Sequence, residues 1–244
     1  MSRNFTLLLS LWLLSGSALA LFGDGGGILT FLFVVLGWLV ALVLHEFGHA
    51  YVAWRAGDHT VETNGYLSMD PLRYADPVTS LVLPVIVLAI GGLALPGGAV
   101  YLREDLMRSP AWRSAASLAG PAGTLLALIL LSLALLVGAG GGSESALWPA
   151  VALLALFQAV ALALNLLPVP GLDGYGVLRP FLPASFRKIM APAERFAIWI
   201  LLAALFFVPG LSSVLFGAAF ILTDALGVNH ELILKGFDAF QFWR

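Results

Sequence analysis

The stretch Leu42-Val43-Leu44-His45-Glu46-Phe47-Gly48-His49-Ala50-Tyr51 lies near the end of a long apolar segment that the sequence predicts to be a helix. Residues four apart share one face of a helix, so the imidazoles of His45 and His49 can hold one metal ion together. The carboxylate of Glu46 can then hold a water molecule at the metal without being a ligand. The alternative is a buried polar cluster with no metal, but ionisable groups in membrane segments are costly and usually functional. The motif therefore predicts a metal site.

The composition identifies the class of protein around this motif. Of 244 residues, 60% are hydrophobic and 11% are charged, whereas about a quarter of the residues in a soluble domain are charged. We therefore predict an all-α polytopic membrane protein. The chain has no cysteine, so any metal must be held by His and carboxylate side chains. There is no basic run or basic-aromatic face, which excludes the nucleic-acid-binding classes.

Apolar segments separated by turn-rich segments predict about six transmembrane helices. They are predicted over residues 5–22, 28–54, 112–137, 147–167, 196–208 and 211–226. The first segment has a second interpretation, a signal peptide cleaved after Ala18-Leu19-Ala20, but we favour a retained helix. The predicted organisation is a first helix and turn (1–27), a membrane core that holds the motif (28–180), and a transmembrane hairpin with a cytoplasmic tail (181–244).

Two irregular features are predicted between the second and third helices. Residues 61–69 contain Asn64-Gly65, a favoured two-residue turn, and predict a short β-hairpin. Residues 81–95 are apolar but too few for a comfortable crossing, and Pro84 interrupts them. A re-entrant segment fits them better than a full span.

The distribution of basic residues predicts the orientation. The predicted turns at residues 23–27, 138–146 and 209–213 contain no Lys or Arg, and all twelve basic residues fall on the other side. The positive-inside rule identifies that side as the cytoplasm. Both termini are therefore predicted to be cytoplasmic, with His45 and His49 toward the cytoplasmic face.

A second polar cluster is predicted at the same depth and on the same face. Asn165-Leu166-Leu167-Pro168-Val169-Pro170-Gly171-Leu172-Asp173-Gly174 ends the fourth helix, and irregular backbone at membrane depth survives only where it lines a cavity. The carboxylate of Asp173 can complete a two-His, one-carboxylate site with one position left for water. A simple turn at Asp173-Gly174 is the alternative; the facing histidine pair favours ligation.

Together the two motifs resemble those of the site-2 protease family of intramembrane zinc metalloproteases. The resemblance covers about residues 28–180 and is carried by His45-Glu46-Phe47-Gly48-His49 and by Asn165, Pro168, Pro170, Asp173 and Gly174. It implies one Zn²⁺ per chain held by His45, His49 and Asp173, with Glu46 as general base and Asn165 in contact with the substrate. It also implies a transmembrane protein as substrate, cleaved near the cytoplasmic side of the lipid bilayer. The predicted location is a bacterial inner membrane.

The substrate is predicted to be extended and to pair as an added strand. The edge would be the predicted hairpin, at Tyr66 and Leu67, or the chain at Val100. The sequence departs from the family pattern at Asp70 and Thr124, where asparagine is usual, and at Tyr74, where histidine is frequent. These departures bear on substrate selection rather than on the ligands. No PDZ or CBS domain is expected.

Three other functions stay open at this point. A divalent-metal transporter would need polar residues toward the outer face, and the outer halves of the predicted helices have almost none. A catalytically silent binder of membrane helices would not need Glu46. A prenyl-peptide-type protease would take a glutamate ligand from a later helix, where none matches. His59 and His230 are predicted to be interfacial.

Overall fold

The computed structural model describes residues 1–22, 26–74, 100–139 and 145–243, and its regular elements are helices. In chain order they are α1 (Arg3–Phe22), α2 (Gly26–Ala56), α3 (Thr60–Thr63), α4 (Pro110–Gly138), α5 (Leu147–Asn165), α6 (Asp173–Leu178), α7 (Ala184–Phe207), α8 (Leu211–Ala225) and α9 (His230–Phe240). Short 3₁₀ turns cover Tyr66–Ser68, Pro71–Arg73, Glu104–Leu106 and Arg179–Phe181. The all-α prediction is confirmed for these residues.

The helices in the described part of the chain do not confirm the predicted number of six membrane spans. α1, α2, α4 and α5 are each long and apolar enough to cross a membrane. The end of α7 and the whole of α8 pass this test only as a pair, and they are bent by 96° at the break between them. Gly210 adopts a left-handed φ of 84° at this break, which ends one helix and redirects the chain. The described residues therefore give four spans, or five if the bent pair is one span. The transmembrane hairpin predicted for residues 181–244 stays a prediction.

α5 is the centre of the bundle. Every residue from Ala150 to Leu162 is buried, as expected for a helix that is apolar on all sides. It packs against α2, α4, α8 and α9. The chain that leaves α5 at Asn165 therefore emerges beside α2 and α4.

Residues 61–69 do not form the predicted β-hairpin. The Asp58 carboxylate accepts a hydrogen bond from the Thr60 backbone N–H at 3.0 Å, and the chain begins α3 at Thr60. Asn64 keeps right-handed helical geometry, whereas a two-residue hairpin turn of this type needs a left-handed residue there. Of this pair only Gly65 is left-handed, and a 3₁₀ turn follows it. The predicted re-entrant segment, residues 81–95, lies outside the described residues.

The two ends of the chain contact opposite ends of α2. The Ser2 backbone N–H donates to the Ser68 carbonyl at 2.7 Å, beyond the C-terminal end of α2. Near the N-terminal end of α2, Phe31 packs against Phe240 and Trp243, with ring centroids 5.0 and 5.7 Å apart. α2 has 31 residues and is about 46 Å long. Counted over the described residues, four spans would put the two ends of the chain on one side of the membrane, whereas five would put them on opposite sides. That both termini are cytoplasmic stays a prediction.

Candidate metal centre

Glycines bring the backbones of α2 and α4 together beside the predicted ligands. A Cβ atom on Gly48 would lie 2.5 Å from the Ala119 carbonyl oxygen, and one on Gly123 would lie 2.9 Å from the Leu44 carbonyl oxygen. Small residues permit such close helix contacts in membranes, where tight packing drives association. The face of α2 that carries the two histidines therefore lies directly against α4.

α4 orients both imidazoles through hydrogen bonds to their Nδ1 atoms. Nδ1 of His49 lies 2.7 Å from the Ala116 carbonyl oxygen, and Nδ1 of His45 lies 2.9 Å from Oγ1 of Thr124. A carbonyl oxygen can only accept, so Nδ1 of His49 carries the hydrogen. The lone pair on Nε2 of a neutral His49 is thereby left free for a metal ion.

The turn after α5 brings Asp173 to the imidazoles. Gly171 adopts a left-handed φ of 91°, and a Cβ atom on Gly174 would lie 2.2 Å from the Leu166 carbonyl oxygen. α6 consequently starts at Asp173, close against the end of α5. Oδ1 of Asp173 lies 3.2 Å from Nε2 of His49, and Oδ2 lies 3.2 Å from Nε2 of His45.

The three side chains fit a single zinc ion. Nε2 of His45 and Nε2 of His49 are 3.1 Å apart. Ligands bound tetrahedrally at about 2.0–2.2 Å lie about 3.3 Å from each other, close to these separations. Oδ2 of Asp173 is buried, and its approach to Nε2 of His45 at 3.2 Å does not have the geometry of a hydrogen bond. This oxygen therefore lacks a hydrogen-bond partner among the described residues. A cation held by all three side chains would satisfy it.

Glu46 lies beside these ligands with one oxygen available. Its side chain is buried, and the Val100 backbone N–H donates to the carboxylate. Oε2 is buried and lacks a hydrogen-bond partner within the described part of the chain. This oxygen can accept a proton from a water molecule at the metal.

Tyr74 is a further buried polar group close to Glu46. Burial raises the pKa of the Tyr74 hydroxyl above its ordinary value, and the negative charges of Glu46 and Asp70 raise it further. The hydroxyl therefore stays protonated, and it donates to the Tyr66 carbonyl oxygen at 3.0 Å. Tyr74 fixes the fold around the 3₁₀ turn and is not positioned as a proton carrier.

The residues predicted to bind substrate have different environments. Asn165 is the buried last residue of α5. Tyr66 is buried and Leu67 half-buried in a 3₁₀ turn, where the Tyr66 carbonyl oxygen is already hydrogen-bonded. The strand edge expected at these two residues is absent. A role of Tyr66 and Leu67 in substrate binding stays a prediction.

The two other histidines for which no role was predicted lie outside the site. His59 is exposed beside Trp54, with ring centroids 6.4 Å apart. His230 is exposed, and its Nε2 lies 2.5 Å from an Asp224 oxygen.

Sequence reasoning missed the contribution of α4. In the sequence, Thr124 is notable only because asparagine is usual at this position in the family. The contact of Ala116 with His49 uses the backbone carbonyl, so the identity of the side chain does not indicate it. The small residues of Ala119-Gly120-Pro121 were the available signal, because they permit a close helix contact at the height of the histidine pair.

Comparison with known proteins finds relatives over most of the chain. "Putative zinc metalloprotease Rip2" of Mycobacterium tuberculosis (strain H37Rv) is 47% identical over 214 residues, which cover 87% of this chain and 81% of the relative. The protein of the same name from Mycolicibacterium smegmatis is 43% identical over 213 residues, with the same coverage. "Putative zinc metalloprotease YwhC" of Bacillus subtilis is 29% identical over 214 residues, which cover 85% of this chain and 91% of the relative. Neither a protein-family model nor a solved structure matches the chain.

Proposed function

The chain belongs to the site-2 protease family of zinc metalloproteases, and we propose that it hydrolyses peptide bonds of transmembrane proteins near the cytoplasmic side of the bilayer. One observation carries this proposal. His45, His49 and Asp173 have ligand atoms within 4.8 Å of one another, and the unpaired oxygen of Glu46 belongs to the residue next to His45. A ligand set with an adjacent free carboxylate is the minimal equipment of a hydrolytic zinc site.

His45, His49 and Asp173 are the residues that would hold the zinc ion. When bound, zinc supplies Lewis-acid chemistry, which polarises a carbonyl group and acidifies water. With two neutral imidazoles and one carboxylate as its ligands, a bound Zn²⁺ would retain a net positive charge, which would favour negative charge on the carbonyl oxygen of the substrate.

Glu46 carries the proton in the proposed reaction. Oε2 of Glu46 accepts a proton from the attacking water while the oxygen of that water bonds to the scissile carbonyl carbon. The carboxylic acid then donates this proton to the nitrogen of the peptide bond, and the bond to carbon breaks with an amine as the leaving group. The hydrogen bond from Val100 N–H holds the carboxylate in position for both transfers.

The position of the basic residues supports a cytoplasmic site. Arg55, Arg73, Arg103, Arg108 and Arg113 all lie around the C-terminal end of α2 or the start of α4, which is the end of the bundle that carries the histidines. Positive charges concentrate on the cytoplasmic side of membrane proteins. The proposed substrate is an apolar helix that must unwind to expose a carbonyl group at this depth.

The first test is the metal content of the purified protein. We expect about one zinc ion per wild-type chain by elemental analysis, and its loss in His45→Ala and Asp173→Ala. His59→Ala is the matched control, because it removes an exposed imidazole outside the site. Zinc retained in Asp173→Ala would contradict the three-residue site.

The second test distinguishes a protease from a catalytically silent binder and from a metal transporter. Zinc-loaded protein is reconstituted in lipid vesicles with apolar transmembrane peptides, and products are read by mass spectrometry. We expect cleavage that a zinc chelator abolishes. Intact peptides that co-purify with the protein would instead identify a silent binder, and zinc flux into the vesicles would identify a transporter.

A further inference from the structure

Thr124 directs its hydroxyl away from its own helix. It is 3% exposed in the middle of α4, and its Oγ1 lies 2.9 Å from Nδ1 of His45 on α2. Buried serine and threonine side chains in helices commonly donate to the carbonyl four residues earlier. Ser132 on the same helix does so, with Oγ 2.9 Å from the Leu128 carbonyl oxygen. The contact of Thr124 therefore links two helices at a predicted ligand.

From this contact we propose that Thr124 is a positioning residue for zinc, acting through the orientation of the His45 imidazole. The inference rests on the proposed zinc site. A ligand imidazole normally donates its second N–H to a partner, which fixes the ring and leaves the other nitrogen free for the metal. The partner of His49 is a backbone carbonyl, which substitution of a side chain cannot remove. The partner of His45 is a side chain, so here the sequence can tune the site.

A hydroxyl suits this position because it can donate as well as accept. In the metal-free site, Oδ2 of Asp173 faces Nε2 of His45 at 3.2 Å and favours a hydrogen on that nitrogen. The Thr124 hydroxyl can then donate to Nδ1. With zinc at Nε2 the hydrogen resides on Nδ1, and the same hydroxyl accepts it. Thr124 thus keeps the ring in one orientation in both states.

The test compares zinc affinities, measured by chelator competition on the full-length protein in detergent. Thr124→Val keeps the shape of the side chain and removes the acceptor, and we expect the zinc dissociation constant to rise about 10- to 100-fold. Thr124→Ser retains the hydroxyl and should restore most of the affinity. Ser132→Ala is the matched control, since it removes a buried hydroxyl from the same helix without touching a ligand, and it should bind zinc as the wild type does.

Each outcome decides the question. If Thr124→Val does not fold, Thr124→Ala removes the same acceptor and takes its place. Unchanged affinity in the folded variant, or an equal loss in Ser132→Ala, overturns the role of Thr124 while the proposed function stands. A wild-type protein that binds no zinc overturns the proposed function as well, so the two failures are distinguishable.

Discussion

Gly120 of α4 lies directly against His49, such that a Cβ atom at this glycine would stand 2.1 Å from Nε2 of the imidazole. The same atom would lie 2.7 Å from Nε2 of His45. These are the two nitrogens proposed to bind zinc. We expect Gly120→Ala to displace both rings and reduce the zinc content to a small fraction of one ion per chain. The fold should persist, because the clash involves the ends of side chains; elemental analysis and gel filtration measure the two results.

The control for this prediction is another glycine within a helix. Gly217 in α8 has open space around its missing Cβ, so Gly217→Ala should keep its zinc and gain up to about 1 kcal/mol of helix stability. About one zinc ion per chain in Gly120→Ala would contradict this prediction, because it would show that the imidazoles can move aside and still bind the ion.

Replacement of Glu46, whose carboxylate is not a proposed zinc ligand, distinguishes proton transfer from metal binding. Glu46→Gln keeps the shape of the side chain and an amide oxygen that can accept from Val100 N–H, but it cannot take up a proton. We expect wild-type zinc content and a loss of cleavage by a factor of about 10² to 10⁴, the usual contribution of a general base. Glu62→Gln, in the exposed part of α3, is the control. Loss of zinc in Glu46→Gln would assign this carboxylate to the ligands instead.

The sequence could predict the three candidate ligands that the structure brings together, because helix periodicity and the position of a helix break identify them. His45 and His49 share a face of any helix, and Asp173 follows the only other predicted span that ends at the same depth in a Pro/Gly-rich break. Their mutual distances required the structure, because they depend on how closely Gly48 and Gly123 let α2 and α4 approach.

Local turn signals were less reliable because tertiary contacts override them. Asn64-Gly65 is a strong hairpin signal, but the buried Asp58 carboxylate caps the preceding turn and starts a helix. Residues 209–213 are predicted to form a turn between two spans, and the two helices meet there at a bend of 96°. Composition cannot distinguish a bent single crossing from a hairpin, since both are apolar and both contain a break.

The placement of the two termini leads to a topology prediction. The chain has no cysteine, so an introduced one can be labelled uniquely. Glu62 is exposed beyond the C-terminal end of α2, and Asp238 is exposed on α9, which packs near the start of α2. In intact cells stripped of any outer barrier, a membrane-impermeant thiol reagent should label Asp238→Cys and spare Glu62→Cys until the membrane is permeabilised. Identical labelling of both variants would show that the two segments lie on the same side of the membrane.

The turn after α2 leads to a prediction about stability. The fully buried carboxylate of Asp58 accepts from the backbone N–H and hydroxyl of Thr60 and, at 2.8 Å, from the backbone N–H of Arg103. Asp58→Ala leaves these donors without a partner, and we expect it to lower the free energy of unfolding by about 3 kcal/mol in a denaturant titration in detergent. Asp58→Asn keeps one acceptor oxygen and should lose about half as much. Glu62→Ala, exposed four residues later, should change stability by less than about 0.5 kcal/mol. Equal stability of Asp58→Ala and the wild type would mean that water replaces the carboxylate and that the turn does not depend on it.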